Sequence, residues 1–450
     1  MGLTGLEIYK QLPKTNCKDC GYPTCLAFAM AMATGKARLD KCRHMSEAAR
    51  EALGSAAAPP VAPIRIGDGV NQVELGNETV LFRHDKRFEH QTAIAVAVSD
   101  LLDDEEIAAR VKKINNLSFD RIGEVCRVNL IAVDNRSQNS GRFAAAVEAA
   151  CQNTDLPLIL ISEDPEAVKK ALGITAAKKP LVCGANALNC ESMAAIARQY
   201  EVPLTVKGCD LDELAVLVEK TVSLGWKQLV LDSGAKKINR ILADQTQIRR
   251  LALKKFRPFG FPTIVFVNSG DGVKAVLDAA VCISKYAGIV VLNSDDRSEI
   301  LPLVTLRLNI YTDPQKPVAV ESKIYEILSP GPDSPVYITT NFSLSYFCVA
   351  GDVEASKVPG YILPVDTDGV SVLTGWAAGK FTPEKIAEAL KSTGIEKKVS
   401  HRAVIIPGSV AVLKEKLQEI SGWEVMVGPM DSSGIPSFIR KHWGSHKSGR

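Results

Sequence analysis

Four cysteines crowd into the first 42 residues of this chain: Cys17, Cys20, Cys25 and Cys42. Two stand in a Cys-x2-Cys pair, a third follows after four residues and the fourth after sixteen more. Three close thiolates and one distant one suit a cubane iron–sulfur cluster. A loop can wrap three corners, and a chain returning after a helix, here residues 26–32, can supply the fourth. Gly21 and Pro23 provide the tight turns. A structural zinc site also uses four cysteines, but typically as two Cys-x2-Cys pairs. Unliganded thiols are the third option. Lys14, Lys18, Lys36, Arg38, Lys41 and Arg43 surround the motif. They would raise a cluster's potential and meet an acidic electron donor, or they form a solvated basic face.

The bulk numbers bound what can position such a site. A length of 450 residues suggests about three domains. Hydrophobic residues make up 46% and charged residues 23%, the balance of a globular chain with ample core. The net charge of +3 gives no long-range field for nucleic acid, so no such partner is expected. No apolar run reaches about 18 residues, so no membrane span is expected. Residues 1–18 lack a signal-peptide pattern, and Leu6 stands where myristoylation wants Ser or Thr. A cytoplasmic location is expected, and there eleven cysteines are not a disulfide framework. Cys126, Cys151, Cys183, Cys190, Cys209, Cys282 and Cys348 then read as core thiols.

Along the chain, residues 1–57 form the cysteine module. Residues 58–91 hold the end of an Ala/Pro linker (AAAPPVAP, 56–63) and an alternating hairpin with turns at 67–69 and 76–77. Over 92–310, eight apolar runs begin near 92, 128, 157, 180, 203, 228, 263 and 288, each followed by a helical pattern such as 105–113 or 211–223. Apolar strands alternating with amphipathic helices predict a parallel sheet covered on both faces. A (β/α)8 TIM barrel fits best, with a doubly wound open sheet as the alternative. The strand ends place Ser99, Asp100, Asp134, Asn135, Ser162, Glu163, Asn186, Lys207, Asp232, Ser233, Asn268 and Asn293 on the rim. Residues 311–335 are Pro-rich and read as a second linker. Residues 336–450 read as a small Rossmann-like α/β domain. Its expected strands are 336–339, 361–363, 370–373, 403–406 and 424–427, and its expected helices 344–353, 383–392 and 410–420. A polar tail from 442 is expected to fray.

Residues 3–25 (LTGLEIYKQLPKTNCKDCGYPTC), 339–346 (TTNFSLSY) and 368–376 (DGVSVLTGW) closely resemble the large (gamma) subunit of corrinoid iron–sulfur proteins of the acetyl-CoA decarbonylase/synthase pathway. The resemblance spans the whole chain. It implies that Cys17, Cys20, Cys25 and Cys42 hold a [4Fe-4S] cluster and that the C-terminal domain holds a cobalamin-type corrinoid. It also implies heterodimer formation with a small barrel subunit. Methyl groups would come from methyltetrahydrofolate through a separate methyltransferase and leave to the nickel centre of acetyl-CoA synthase/carbon monoxide dehydrogenase. A low-potential electron donor would supply the cluster, which would reactivate Co(II) to Co(I). The chain would be a methyltransferase-type component, acting as carrier rather than sole catalyst, in anaerobic carbon fixation.

None of the six histidines sits in an Asp-x-His-x-x-Gly pattern. Without a strong axial donor, Co(II) is easier to reduce, so a base-off, His-off corrinoid is expected. It must then be held by strand ends and Gly-rich loops. The candidates are Thr340, Tyr346, Gly369, Val370, Ser371, Val372, Leu373, Thr374, Ala378, Gly408, Gly428, Pro429, Ser433 and Gly434. By resemblance, Thr374 or a water lies below the cobalt. Three rivals stand beside this reading. One is a pterin-dependent methyltransferase using rim residues Asp134, Asp232 and Asn268. Another is an electron-transfer protein without corrinoid. The third, a reductive activator, would need a nucleotide loop of the Gly-x4-Gly-Lys-[Ser/Thr] type, which is absent.

Overall fold

The computed structural model describes residues 4–33, 37, 39–46, 49, 53, 59–121, 123–267 and 272–447. The chain divides into two compact units. Met1–Leu81, Phe88–Ser118 and Arg127–Ile310 form one; Phe82–Arg87, Phe119–Cys126 and Tyr311–Arg450 form the other. Residues 56–58 of the small-residue linker, together with Lys36, Arg38 and Asn268, lie outside the described residues.

In the cysteine module, helix α1 (Gly5–Gln11) opens with a capping box between Thr4 and Glu7. Helix α2 (Cys25–Ala33) is apolar throughout. Ile8, Leu12, Phe28, Ala29, Met45 and Leu53 share one apolar cluster with Cys25 and Cys42.

The eight apolar runs of the first unit are strands of one parallel sheet. A hairpin, β1 (Ile64–Ile66) and β2 (Val73–Leu75), comes first. Strand β3 (Ala93–Ser99) follows, then a short second hairpin, β4 (Ser118–Arg121) and β5 (Glu124–Arg127). The remaining barrel strands are β6 (Leu130–Asp134), β7 (Leu158–Ile161), β8 (Leu181–Ala185), β9 (Leu204–Lys207), β10 (Leu229–Asp232), β11 (Ile264–Phe266) and β12 (Ile289–Leu292). Their order is β10-β9-β8-β7-β6-β3-β12-β11. The ends nearly close, because Leu231 N donates to Pro262 O at 2.8 Å and Leu231 bridges Thr263. Asp103, Asn139, Asp164 and Asp210 cap the helices that follow β3, β6, β7 and β9.

The barrel interior shows why the first hairpin exists. Ala93, Ala95, Ala97 and Ala132 are small, and Ile64, Ile66, Val73 and Leu75 fill the same core. Gly67 N donates to Lys179 O and Ala62 N to Gly260 O, both ahead of barrel strands. The hairpin therefore plugs the N-terminal end and leaves the C-terminal mouth open. The β4–β5 hairpin had no counterpart in the sequence reading, and residues 119–126 of it belong to the second unit.

The second unit is built on a five-stranded sheet in the order β13 (Tyr325–Ile327), β15 (Gly360–Val365), β14 (Val336–Thr340), β16 (Ala403–Ile406), β17 (Glu424–Val427). Only β13 is antiparallel. The Pro-rich stretch thus carries an edge strand, and Ala319 bridges Phe342. The barrel helices are α3 (Asp104–Asn115), α4 (Ser140–Gln152), α5 (Pro165–Thr175), α6 (Cys190–Tyr200), α7 (Leu211–Ser223), α8 (Ile238–Leu253), α9 (Gly272–Ser284) and α10 (Arg297–Tyr311). Five more follow: α11 (Ser343–Ser356), α12 (Val372–Ala377), α13 (Pro383–Ser392), α14 (Lys414–Ser421) and α15 (Ile435–Lys447). Strand alternation splits the core in two. Val336 and Ile338 pack with residues of α13 and α14, while Tyr337 packs with residues of α11 and α15.

Two expectations are corrected here. Residues 370–373 do not form a strand: Asp368 and Gly369 turn with φ of 57° and 72°, and α12 begins at Val372. A Val-Ser-Val alternation is too short to outweigh a turn followed by an N-cap serine. Residues 442–447 are helical rather than frayed, because Ile435, Ile439 and Trp443 recur on one face and are buried.

Candidate functional site

The cysteine loop is shaped by its backbone. Lys14, Asn16, Lys18 and Gly21 have positive φ, at 59°, 50°, 68° and 82°. Four left-handed positions within eight residues fold the loop tightly, and Gly21 N donates to Lys18 O at 2.9 Å. Asn16 Oδ1 accepts from Cys25 N at 2.8 Å, and Thr24 Oγ1 accepts from Ala27 N. Together they fix where α2 starts. Cys25 and Cys42 are buried, Cys20 is half-buried and Cys17 is exposed. His44 Nε2 lies 2.6 Å from Asp19 Oδ2, joining the Cys17–Cys20 turn to the segment after Cys42. Hydrogen bonds, first from His44 and then from Cys17, hold the Asp19 carboxyl below its ordinary range. Among the described residues, the ligand atoms of Cys17, Asp19 and His44 lie within 4.8 Å of one another. Cys25 and Cys42 share one apolar cluster and Cys20 packs against it, while Cys17 lies outside it; four thiolates are the donor set that an iron–sulfur cluster takes.

The other cysteines divide. Cys126, Cys183, Cys190 and Cys282 are buried, and Cys190 Sγ lies 3.1 Å from Thr221 Oγ1. Burial pushes the Cys183 thiol up, and Cys282 to about 12. Cys209 and Cys348 are exposed and are not core thiols.

At the barrel mouth, polar groups mostly hold one another. Asp100 accepts from Arg136 N, Ser137 N and Ser137 Oγ. Asp134 pairs with Arg136 and Glu163 with Lys207. Asn135 donates to Ser162, and Gly234 N donates to Asp232 Oδ1 at 2.8 Å. Burial raises the Asp232 carboxyl.

The second unit carries a cleft of about 420 Å³. It opens at the carboxyl ends of β14, β16 and β17. From β14 the chain passes to β15 on one side and later to β16 on the other, so the cleft lies at a topological switch point, where open α/β sheets bind ligands. Its floor is Tyr337 and Thr339 of β14, its walls are Phe342, Cys348, Ile406 and Pro407, and Leu344, Leu373 and Met430 stand at its mouth. Those three are 50%, 54% and 76% exposed. The hydroxyls of Tyr337, Thr339 and Thr340 are buried, with no hydrogen-bond partner among the described residues. Burial also pushes the Tyr337 phenol up. An unpaired buried hydroxyl costs about 1–3 kcal/mol, so two of them on a cleft floor mark a place for a polar ligand group.

Of the residues singled out in the sequence, Ser371, Val372, Leu373, Gly428 and Pro429 line this cleft. The other nine do not. Gly408 backs its wall: a Cβ there would stand 2.7 Å from Gly428 O. Gly434 packs against Pro429, and Asp431 caps the turn at Ser433. Thr374 Oγ1 lies 3.0 Å from Ser371 Oγ, and Ala378 ends the same helix. Tyr346 is in the core against Tyr325 and Phe347. Thr340 is buried, Gly369 and Val370 belong to the turn before α12, and Gly369 N donates to Asn341 Oδ1. Tyr337 and Thr339 were missed; the one local signal was a threonine inside an apolar strand.

Comparison with known proteins assigns the chain. The family model described as "CO dehydrogenase/acetyl-CoA synthase delta subunit" matches residues 63–439, and one described as "Putative Fe-S cluster" matches residues 12–44. The corrinoid/iron-sulfur protein large subunit of Moorella thermoacetica is 52% identical, over 99% of this chain and 100% of that one. The acetyl-CoA decarbonylase/synthase complex subunits gamma of Methanothermobacter thermautotrophicus and Methanopyrus kandleri are 36% and 35% identical. Each match covers 98% of this chain and, respectively, 99% and 98% of the relative. The 63–439 match is to a model named for a delta subunit, but the full-length relatives, which include the N-terminal cysteine module, are large or gamma subunits. The chain therefore belongs to the family of corrinoid/iron-sulfur protein large subunits and acetyl-CoA decarbonylase/synthase gamma subunits.

Proposed function

We propose that this chain is a corrinoid methyl carrier of the acetyl-CoA pathway. In this reading it works between a methyltetrahydrofolate-dependent methyltransferase and the nickel centre of acetyl-CoA synthase, as a heterodimer with a small barrel subunit. The observation that carries the reading is the switch-point cleft, with two unpartnered hydroxyls on its floor and an exposed apolar mouth. When bound, the corrinoid supplies a cobalt centre that accepts and releases methyl groups. Tyr337 and Thr339 bind its polar groups, while Leu344, Leu373 and Met430 cover apolar edges and exclude water. Among the described residues, no histidine lines the cleft. Both ring nitrogens of His401 are engaged, with Ser334 O and Ala403 N, which supports base-off, His-off binding. Cys17, Cys20, Cys25 and Cys42 would hold the [4Fe-4S] cluster, which supplies a low-potential electron.

Anaerobic purification with the partner subunit, followed by metal analysis and EPR, tests this. About one cobalt and four irons per heterodimer, with a base-off Co(II) signal, is the expected result. Four irons without cobalt would leave an electron-transfer protein instead.

Thr339→Val tests the cleft floor with two opposite signs. Removing an unpaired buried hydroxyl should raise the stability of the corrinoid-free chain by about 1 kcal/mol. The same change should weaken cobalamin binding about tenfold. Thermal melts and absorbance titrations check the two arms, and a loss of both stability and binding would count against the assignment.

A further inference from the structure

We infer that Asn341 is a positioning residue that sets the wall of the cleft formed by Ser371, Val372 and Leu373; this rests on the corrinoid reading above. Asn341 follows β14 and is 6% exposed. Its backbone is pinned on both sides: its N–H donates to Val365 O at 2.9 Å, and its carbonyl accepts from Val320 N at 2.8 Å. The carboxamide is therefore held at one place and reaches across to the turn after β15. Its Oδ1 accepts from Thr367 N and Gly369 N, each at 3.0 Å, and its Nδ2 donates to Asp366 Oδ1 at 2.9 Å. Thr367 Oγ1 lies 3.1 Å from the same Oδ1 and donates to Val370 O at 2.9 Å.

No other side chain of this length accepts two amide protons and donates to a carboxylate at once. The two backbone donors also decide which end of the carboxamide is oxygen. The turn needs this support because Asp368 and Gly369 both adopt left-handed φ. Gly369 is pressed against Pro317 and Ala319, where a Cβ would meet atoms at 3.1 Å. One residue beyond the turn, Ser371 stands at the N-cap position of α12 and lines the cleft with Val372 and Leu373. Asn341 itself does not line the cleft, so it acts through the turn.

Asn341→Asp and Asn341→Ala in the full chain test this. The aspartate keeps the acceptor, loses the donor and faces Asp366; the alanine leaves the Thr367 and Gly369 amides unpaired. The probe is cobalamin, read by absorbance titration, by the EPR spectrum of the bound Co(II) form and by thermal melting. Both variants should bind about tenfold more weakly. The Co(II) spectrum of the fraction that still binds should shift, because the cleft wall formed by Ser371, Val372 and Leu373 moves. A purely structural role would lower the melting temperature and leave that spectrum unchanged, which overturns the inference. Wild-type affinity and spectrum in both variants overturn it as well. A wild-type chain that takes up no cobalamin instead overturns the corrinoid reading, and this inference falls with it.

Discussion

Serine at Cys42 should strip the chain of most of its iron, from about four atoms to well under one, while cobalt content stays unchanged. Cys42 is the sharpest of the four positions to change because it is 6% exposed and packs among Ile8, Phe28 and Met45. A buried cysteine in such surroundings is an ordinary core residue unless it binds something. If it were only that, the hydroxyl would cost about 1–3 kcal/mol of stability and iron would not depend on it. If the site held zinc, the metal lost would be zinc. Iron and acid-labile sulfide, measured on anaerobically prepared protein, separate the three cases. The cleft lies in the other compact unit, so cobalt serves as an internal control for folding. Equal iron in the wild type and the serine variant would sink the four-cysteine assignment.

Valine at Gly408 should lower cobalamin affinity about a hundredfold, or about 2.8 kcal/mol. Gly408 has an ordinary φ, so the constraint is space. An added Cβ would stand 2.7 Å from Gly428 O and Pro429 C and 2.8 Å from Met430 N, all backbone atoms that cannot rotate aside. The loops are laced together as well, with Gly408 N donating to Pro429 O and Gly428 N to Ile406 O, each at 2.9 Å. Relieving the clash means moving the 428–430 segment, which is a wall and part of the mouth of the cleft. Overpacking of this kind usually costs about 1–3 kcal/mol of stability as well. Alanine at Gly428 is the graded control. Its nearest contacts are the Ile405 Cγ2 methyl at 3.0 Å and Ile406 O at 3.1 Å, both looser than those at Gly408, so its effect should be smaller. Equal binding by the Gly408 variant and the wild type would mean that these loops do not enclose the ligand.

The sequence by itself determined the parts whose signal is local. Each of the eight apolar runs from Ala93 to Leu292 is a barrel strand, because strands covered on both faces must be apolar along their whole length. The cysteine spacing is equally local: a loop of nine residues holds three thiols, and the fourth, Cys42, joins Cys25 in one apolar cluster that leaves Cys17 exposed. Family membership was legible for the same reason, since short segments with special turns carry it.

What the tertiary structure decided depends on strand order, which no local pattern encodes. Residues 370–373 alternate like a strand, yet they start a helix because Asn341, 25 to 28 residues earlier in the chain than its partners, ties down the preceding turn. The tail after 442 is polar in sequence but helical, because Trp443 finds a core on the face of the sheet that Tyr337 also fills. The cleft is the clearest case. Tyr337 and Thr339 read as ordinary strand residues, while Gly428 and Pro429 stand out only as part of a Gly-containing loop at a strand end. They converge only because the chain crosses from one side of β14 to the other, leaving the ends of β14 and β16 without a connection between them.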